Sequence, residues 1–194
     1  MTAARRRIFI AVPLDPALHE AVLRLQRLLE EDGIRLRWVA PPNLHITLRF
    51  LGQITERELE RAREAARRAC REVPAFRITL AGVGAFPDLR RPQVVWVGVT
   101  DGAGTMAELA RRLDDALARE RFAPDPRGFA PHMTLARVRD PALQARLSRS
   151  LPGLREERVG EQGVTAVVVM ESLLGPQGAV YTPVEEVRLF GHEK

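Results

Sequence analysis

The sequence predicts an α+β fold of duplicated, bilobal form: two antiparallel-sheet lobes with outer helices, related by a pseudo-twofold axis around a central cleft. Three observations predict it. Strand-like and helix-like stretches follow one another in the same order twice along the 194 residues. The two rounds are in register at an offset of 87 positions, which carries Phe9 onto Trp96 and His45 onto His132 without net insertion. Two of the four histidines open the same phrase, His-x-Thr-Leu, in "NLHITLRFLG" and "APHMTLARVR".

The elements follow in order. "IFIAVPL" (8–14) is β-rich and closed by a proline. Residues 15–33 read as a helix: Asp15 caps it, Pro16 suits the first turn, Leu18, Val22, Leu25 and Leu29 recur at helical spacing, and Gly33 stops it. "IRLRWV" alternates like a strand, "PPN" turns, and "LHITLRFLG" is a further strand. Residues 55–72 form a second helix in which Thr55 and Glu58 suit a capping box. "AFRITLAGVGAF" returns as a strand. The round restarts with the strand "QVVWVGV" (93–99), the helix "GTMAELARRLDDALARERF", the loop "PDPRG" and the strand "FAPHMTLARV". Asp140-Pro141 opens a short helix to about residue 150, and two long strands, "VTAVVVMESLLG" and "AVYTPVEEVRLF", close the chain across a "PQG" hairpin signal. The repeat units run over about 8–87 and 93–190. With no Gly, Ser or Pro linker between them, residues 1–194 are expected to form one domain whose lobes exchange strands.

Composition narrows the function classes. An apolar fraction of 45% and a charged fraction of 28% are those of an ordinary globular protein, and nothing approaches the roughly 18 to 20 apolar residues of a membrane span. "RRRIFIAVPL" has the look of a leader, but Pro13 and Asp15 interrupt its apolar run, so a cytoplasmic protein is expected. Cys70, the single cysteine, has no internal disulfide partner and sits in a helical stretch without a nucleophile motif. Thirty basic residues stand against 25 acidic ones, and all the basic ones but Lys194 are arginine. Solvated helix faces account for most of them, and a net charge of +5 leaves room for a polyanionic partner.

On a strand, His45 and Thr47 point to one face and Ile46 and Leu48 to the other; the same holds for His132 and Thr134 against Met133 and Leu135. Each motif therefore buries its apolar pair and presents an imidazole and a hydroxyl about 7 Å apart. A pseudo-twofold turns these polar faces toward one small volume. Two imidazoles titrating near neutrality suit a reaction in which one proton is taken as another is given. In-line displacement at phosphorus has that requirement, and threonine hydroxyls between the rings can donate to the non-bridging oxygens. No metal or cofactor is needed. A metal site is the competing reading, but two histidines are fewer than the three protein ligands of a catalytic zinc. A structural role, with both histidines capping turns, is the other.

These features resemble the 2H phosphoesterase superfamily, and within it the RNA 2′,3′-cyclic phosphodiesterase (2′-5′ RNA ligase) family. The resemblance rests on "RIFIAVPL", "PPNLHITLRFLG", "GVGAFP", "FAPHMTLARV" and "VVVMESLLGPQGAVYTPV", nearly the whole chain. It implies opening of a 2′,3′-cyclic phosphate at an RNA or nucleotide 3′ end to a 2′-phosphomonoester, and possible reverse joining through a 2′-5′ bond, as on tRNA fragments. It assigns His45 as proton donor and His132 as proton acceptor, an assignment the symmetry of the motifs does not make. Thr47, Thr134 and Arg137 are implied phosphate contacts. Strict alternation places Arg137 on the Met133 face, and its counterpart 87 positions earlier is Phe50. Trp38, Phe129 and Tyr181 are candidates to stack on a base, although aromatics are more often core; His19 and His192 are expected to be solvated. A small cyclic nucleotide such as an ADP-ribose cyclic phosphate is an alternative substrate, and a non-catalytic clamp for RNA ends an alternative role. Because the symmetry lies within one chain, a monomer is expected.

Overall fold

The apolar run near the start of the chain becomes β1 (Arg5–Pro13), in which residues 8–12 are all buried. A strand buried on both faces belongs inside a sheet, and β1 lies between β2 (His45–Thr55) and β7 (Ala166–Gly175). The computed structural model describes residues 4–31, 33–126, 128–175 and 178–190. With β3 (Phe76–Phe86), β4 (Val94–Val99), β5 (His132–Arg137), β6 (Arg158–Val164) and β8 (Gly178–Arg188), the strands make one antiparallel sheet ordered β6-β3-β4-β5-β2-β1-β7-β8. The fold is the α+β, pseudo-twofold arrangement that the sequence predicts, with the two lobes as halves of a single curled sheet. The halves meet where β2 pairs β5 through Ile46 and Met133. Those two residues are also 87 positions apart, so the pseudo-axis passes between them.

Among the described residues, four α-helices complete the fold: α1 (His19–Glu31), α2 (Glu56–Cys70), α3 (Ala103–Arg119) and α4 (Pro141–Ser150). Asp15 accepts from the Ala17 amide, but it caps a 3₁₀ turn, Pro16–Leu18, that leads into α1. The capping box of Thr55 and Glu58 forms at α2, and Asp140 caps α4 through the Ala142 amide. Alanines make α2 narrow where it packs on α3: Ala62, Ala65, Ala66 and Ala69 are buried, as are Met106, Leu109 and Leu113 opposite. Together with Ile46, Leu48, Val95, Val97, Met133 and Leu135 they form one apolar core on one face of the sheet. Arginines on the outer helix faces form exposed ion pairs, such as Arg111 with Glu108 and Asp115, each of small individual worth. Cys70 is buried against this core, which pushes its thiol up to about 12 and leaves it inert as a nucleophile.

Two local readings are corrected. "IRLRWV" is not a strand; only Trp38 bridges, to Ala136, and Val39 donates to Leu135 O. The segment is held instead to α1, by Arg35 on Glu30 O and by Trp38 Nε1 on Glu30 Oε1. In the other direction, β6 has no counterpart in the sequence reading because Gly160, Gly163 and Gln162 dilute its alternation. Gly160 is needed there: a Cβ would meet Leu18 at 2.7 Å. The hairpin signal at Pro176 and Gln177 and the tail with His192 lie outside the described residues, while His19 is half-buried at the start of α1.

Gly102 starts α3 from a left-handed backbone (φ 75°), and a Cβ on it would stand 2.4 Å from Arg77 O. Gly102→Ala is expected to destabilise the protein by roughly 1–3 kcal/mol. A fall in the urea midpoint at unchanged slope would register it.

Candidate active site

The face of the sheet opposite the core is open at its centre, where β2 and β5 meet. A cleft of about 480 Å³ lies there, lined among others by His45, Thr47, His132, Thr134 and Arg137. Alternation does the first part of the positioning: Ile46, Leu48, Met133 and Leu135 are buried while the intervening His and Thr are half-buried on the cleft side.

Each imidazole is oriented by its own backbone. His45 Nδ1 lies 2.6 Å from Asn43 O, and His132 Nδ1 lies 2.7 Å from Ala130 O. A carbonyl only accepts, so Nδ1 carries the hydrogen in both rings. Nε2 is thereby left as acceptor in the neutral ring and donor in the charged one. His45 Nε2 meets Thr47 Oγ1 at 3.0 Å, whereas His132 makes no equivalent bond to Thr134 among the described residues. Each ring is also braced edge-on by an aromatic, Tyr181 at 5.2 Å for His45 and Phe86 at 4.8 Å for His132. Asn43 adds a tie across the cleft wall, its Nδ2 donating to Ala179 O at 2.8 Å.

Burial, which disfavours the charged imidazole, lowers the pKa of both histidines below the ordinary value, and the backbone hydrogen bonds work against that shift. Secondary causes differ. The charge of His132 bears on His45, and that of Arg137 bears on His132. A protonated His132 therefore makes His45 harder to protonate.

Arg137 reaches the cleft, contrary to strict alternation, because β5 bulges. Its register on β4 runs from Val95↔Ala136 to Trp96↔Thr134, skipping Leu135, so Leu135 and Ala136 both face the core and Arg137 turns outward. The same irregularity occurs at the equivalent place in the first repeat. There β1 and β2 pass from Ile10↔Arg49 to Ala11↔Thr47, skipping Leu48, and Phe50 is turned to the cleft. The repeat thus does place Arg137 at the site, contrary to expectation.

Of the aromatic candidates, Phe129 and Tyr181 line the cleft and Trp38 does not. Arg49, Asp125, Phe86 and Phe50 also line the cleft, and the sequence pattern points to none of them as site residues. Arg49 is 5% exposed, donates to Ala123 O and brings Nη1 to 2.9 Å from Asp114 Oδ1. That approach is a charge contact outside hydrogen-bond alignment. Arg49 thereby anchors the segment after α3 that returns across the cleft to Phe129 and His132. No sequence signal marks it, since the bulge that buries it is invisible in the residue pattern. Among the described residues no group of three or more His, Cys, Asp or Glu is placed to hold a metal ion, and no helix is long and apolar enough to cross a membrane.

Known proteins with the same features are found. The profile of the 2′-5′ RNA ligase superfamily matches residues 13–173. A curated RNA 2′,3′-cyclic phosphodiesterase of Methanothermobacter thermautotrophicus is 36% identical over 183 residues, covering 94% of this chain and 98% of that protein. A crystal structure from Thermus thermophilus superposes with a TM-score of 0.79 at 30% identity, covering 96% of this chain and 100% of that one. The structure of E. coli LigT complexed with 3′-AMP superposes with a TM-score of 0.74 at 26% identity, covering 96% and 99%.

Proposed function

Because the chain belongs to the 2′-5′ RNA ligase superfamily, we propose that it opens 2′,3′-cyclic phosphates at RNA ends to 2′-phosphomonoesters by metal-independent catalysis with two histidines. The observation that carries this reading is the pair of imidazoles 87 positions apart, each with Nδ1 locked on a carbonyl and Nε2 left to a shared cleft.

His132, neutral, takes the proton of the attacking water as its oxygen bonds to phosphorus. The bond from phosphorus to the 3′ oxygen breaks on the opposite side, and His45, protonated, gives that oxygen its proton. Thr47 and Thr134 donate to the non-bridging oxygens as negative charge grows on them, and Arg137 offers a paired donor at the same place. The family resemblance supplies the acid and base assignment. With a 5′-hydroxyl in place of water and the same base and acid, the same groups join a cyclic end to that hydroxyl through a 2′-5′ bond. Both halves of the cleft come from one chain, so the reading is of a cytoplasmic monomer acting on RNA ends such as halves of cleaved tRNA.

The test is incubation with an oligonucleotide 2′,3′-cyclic phosphate in EDTA, followed by phosphorus NMR. A 2′-phosphomonoester formed at an undiminished rate is expected; a 3′-phosphomonoester, or activity lost to the chelator and restored by a divalent ion, would refute the mechanism.

The pKa directions give a pH dependence. Catalysis needs His132 neutral and His45 protonated, and both titrate below the usual histidine value. Activity therefore falls at low pH as His132 gains a proton and at higher pH as His45 loses one. A bell-shaped kcat/KM with its maximum on the acid side of neutrality is expected. Arg137→Ala removes a charge that lowers the pKa of His132, so the acid limb is expected to move to higher pH. A profile whose acid limb does not move would show that Arg137 is not coupled to the base.

A further inference from the structure

A second groove, of about 880 Å³, lies on the sheet face of the second lobe beside His132. Its floor is Trp96 with Gly84 and Gly98, and Arg90 and Arg155 stand at its sides. The floor is built around the indole: a Cβ on Gly84 would stand 2.2 Å from Trp96 Cη2, and one on Gly98 3.3 Å from Cζ3. Trp96 stays half-exposed there. The groove adjoins the catalytic cleft: Pro131 on its wall lies in the chain between Ala130 and His132 of the cleft, and the Trp96 ring is 6.2 Å from the His132 ring.

The first lobe has no such floor. The counterpart of Trp96 is Phe9, 2% exposed and packed edge-on to Tyr181 at 4.9 Å; the counterpart of Gly98 is Ala11, fully buried. The acid–base pair is symmetric, so it does not account for this difference. The charges point to an anion. Neither Arg90 nor Arg155 pairs with a carboxylate among the described residues. Asp88, the one acid on the lining, is engaged by the Arg90 and Arg91 amides at 2.7 and 3.0 Å. A flat aromatic floor, room made by glycines and two arginines are the fittings of a single-stranded nucleotide site.

We propose that this groove holds the 5′-terminal nucleotide of an RNA strand whose 5′-hydroxyl takes the place of water. The inference rests on the reading of His132 as the base, since the attacking group lies on the base's side of phosphorus. The base stacks on Trp96, and Arg90 and Arg155 hold the next phosphates of that strand. The 5′-hydroxyl gives its proton to His132 and its oxygen bonds to phosphorus. The bond to the 3′ oxygen breaks and that oxygen takes the proton of His45. One ester bond replaces another, with no oxidant, reductant or water consumed.

The experiment uses the full chain, a trinucleotide 2′,3′-cyclic phosphate as donor and a 5′-hydroxyl oligouridylate as acceptor, with hydrolysed and joined products measured separately. The paired substitution Arg90→Ala with Arg155→Ala is expected to leave hydrolysis within about threefold. It should raise the acceptor concentration for half-maximal joining by about tenfold or more and flatten its salt dependence, as two lost phosphate contacts require. The Arg90→Lys, Arg155→Lys pair should keep most of the acceptor dependence and its salt slope. Equal loss of hydrolysis and joining would assign the groove to the donor strand and overturn the proposal. So would an unchanged acceptor dependence, or a wild type that hydrolyses but never joins. A wild type that opens no cyclic ester would instead overturn the reading of the histidine pair.

Discussion

Replacing His132 by alanine is expected to lower kcat for cyclic-ester opening by about 10²- to 10⁴-fold, the usual worth of a positioned acid or base. His45→Ala is expected to match it. A loss of that size is about 3–5 kcal/mol of transition-state stabilisation. It should appear in kcat, because neither ring is needed to hold the phosphate. The double variant should lose little more than the worse single one, since a displacement deprived of either proton transfer has already lost the concerted path. Both side chains are half-buried and each makes its orienting bond to a backbone carbonyl two residues before it in the chain. The variants should therefore fold, which circular dichroism would confirm. A rate within tenfold of wild type in either variant would remove the basis for the mechanism.

Thr134→Val is expected to lower kcat by about 10²-fold, as loss of one preorganised donor to a developing oxyanion does. Valine keeps the shape and removes the hydroxyl. Thr47→Val should cost less, because in the resting structure the Thr47 hydroxyl is engaged with His45 Nε2 at 3.0 Å and must turn from it to serve the phosphate. Initial rates at saturating substrate would measure both. If Thr47→Val were the more damaging change, the hydroxyl would be acting on the imidazole and not on phosphate.

The strand and helix order was legible because the halves keep two clean periods, alternation in "HITL" and "HMTL" and helical spacing in 55–72. The convergence of His45, Thr47, His132 and Thr134 followed from period two plus the 87-residue offset. The rest failed where one residue breaks the period. The bulges at Leu48 and Leu135 reverse the facing of everything after them, which hid Phe50, Arg49 and the true direction of Arg137. Nothing in "TLRF" or "TLAR" announces such a bulge, since bulges are set by the register of the neighbouring strand. The segment 34–39 failed for another reason. Its alternation is real, but it touches β5 only at Trp38 and Val39 while Arg35 and Trp38 tie it to Glu30 of α1, and a strand needs a partner along its length. The groove beside His132 went unread because glycines in a strand carry no positive signal until the ring above them is seen.

The sheet order carries a consequence for assembly. β1 is zipped to β7, whose residues stand some 160 positions later, and β3 leaves its sequence neighbour β2 to lie among strands of the second repeat. Neither repeat can therefore finish its own half, and the sheet closes late, after chain ends far apart have found each other. Such non-local pairing slows folding. It also makes the spacing between the two imidazoles a property of the completed molecule: loosening either half pulls both rings out of alignment at once.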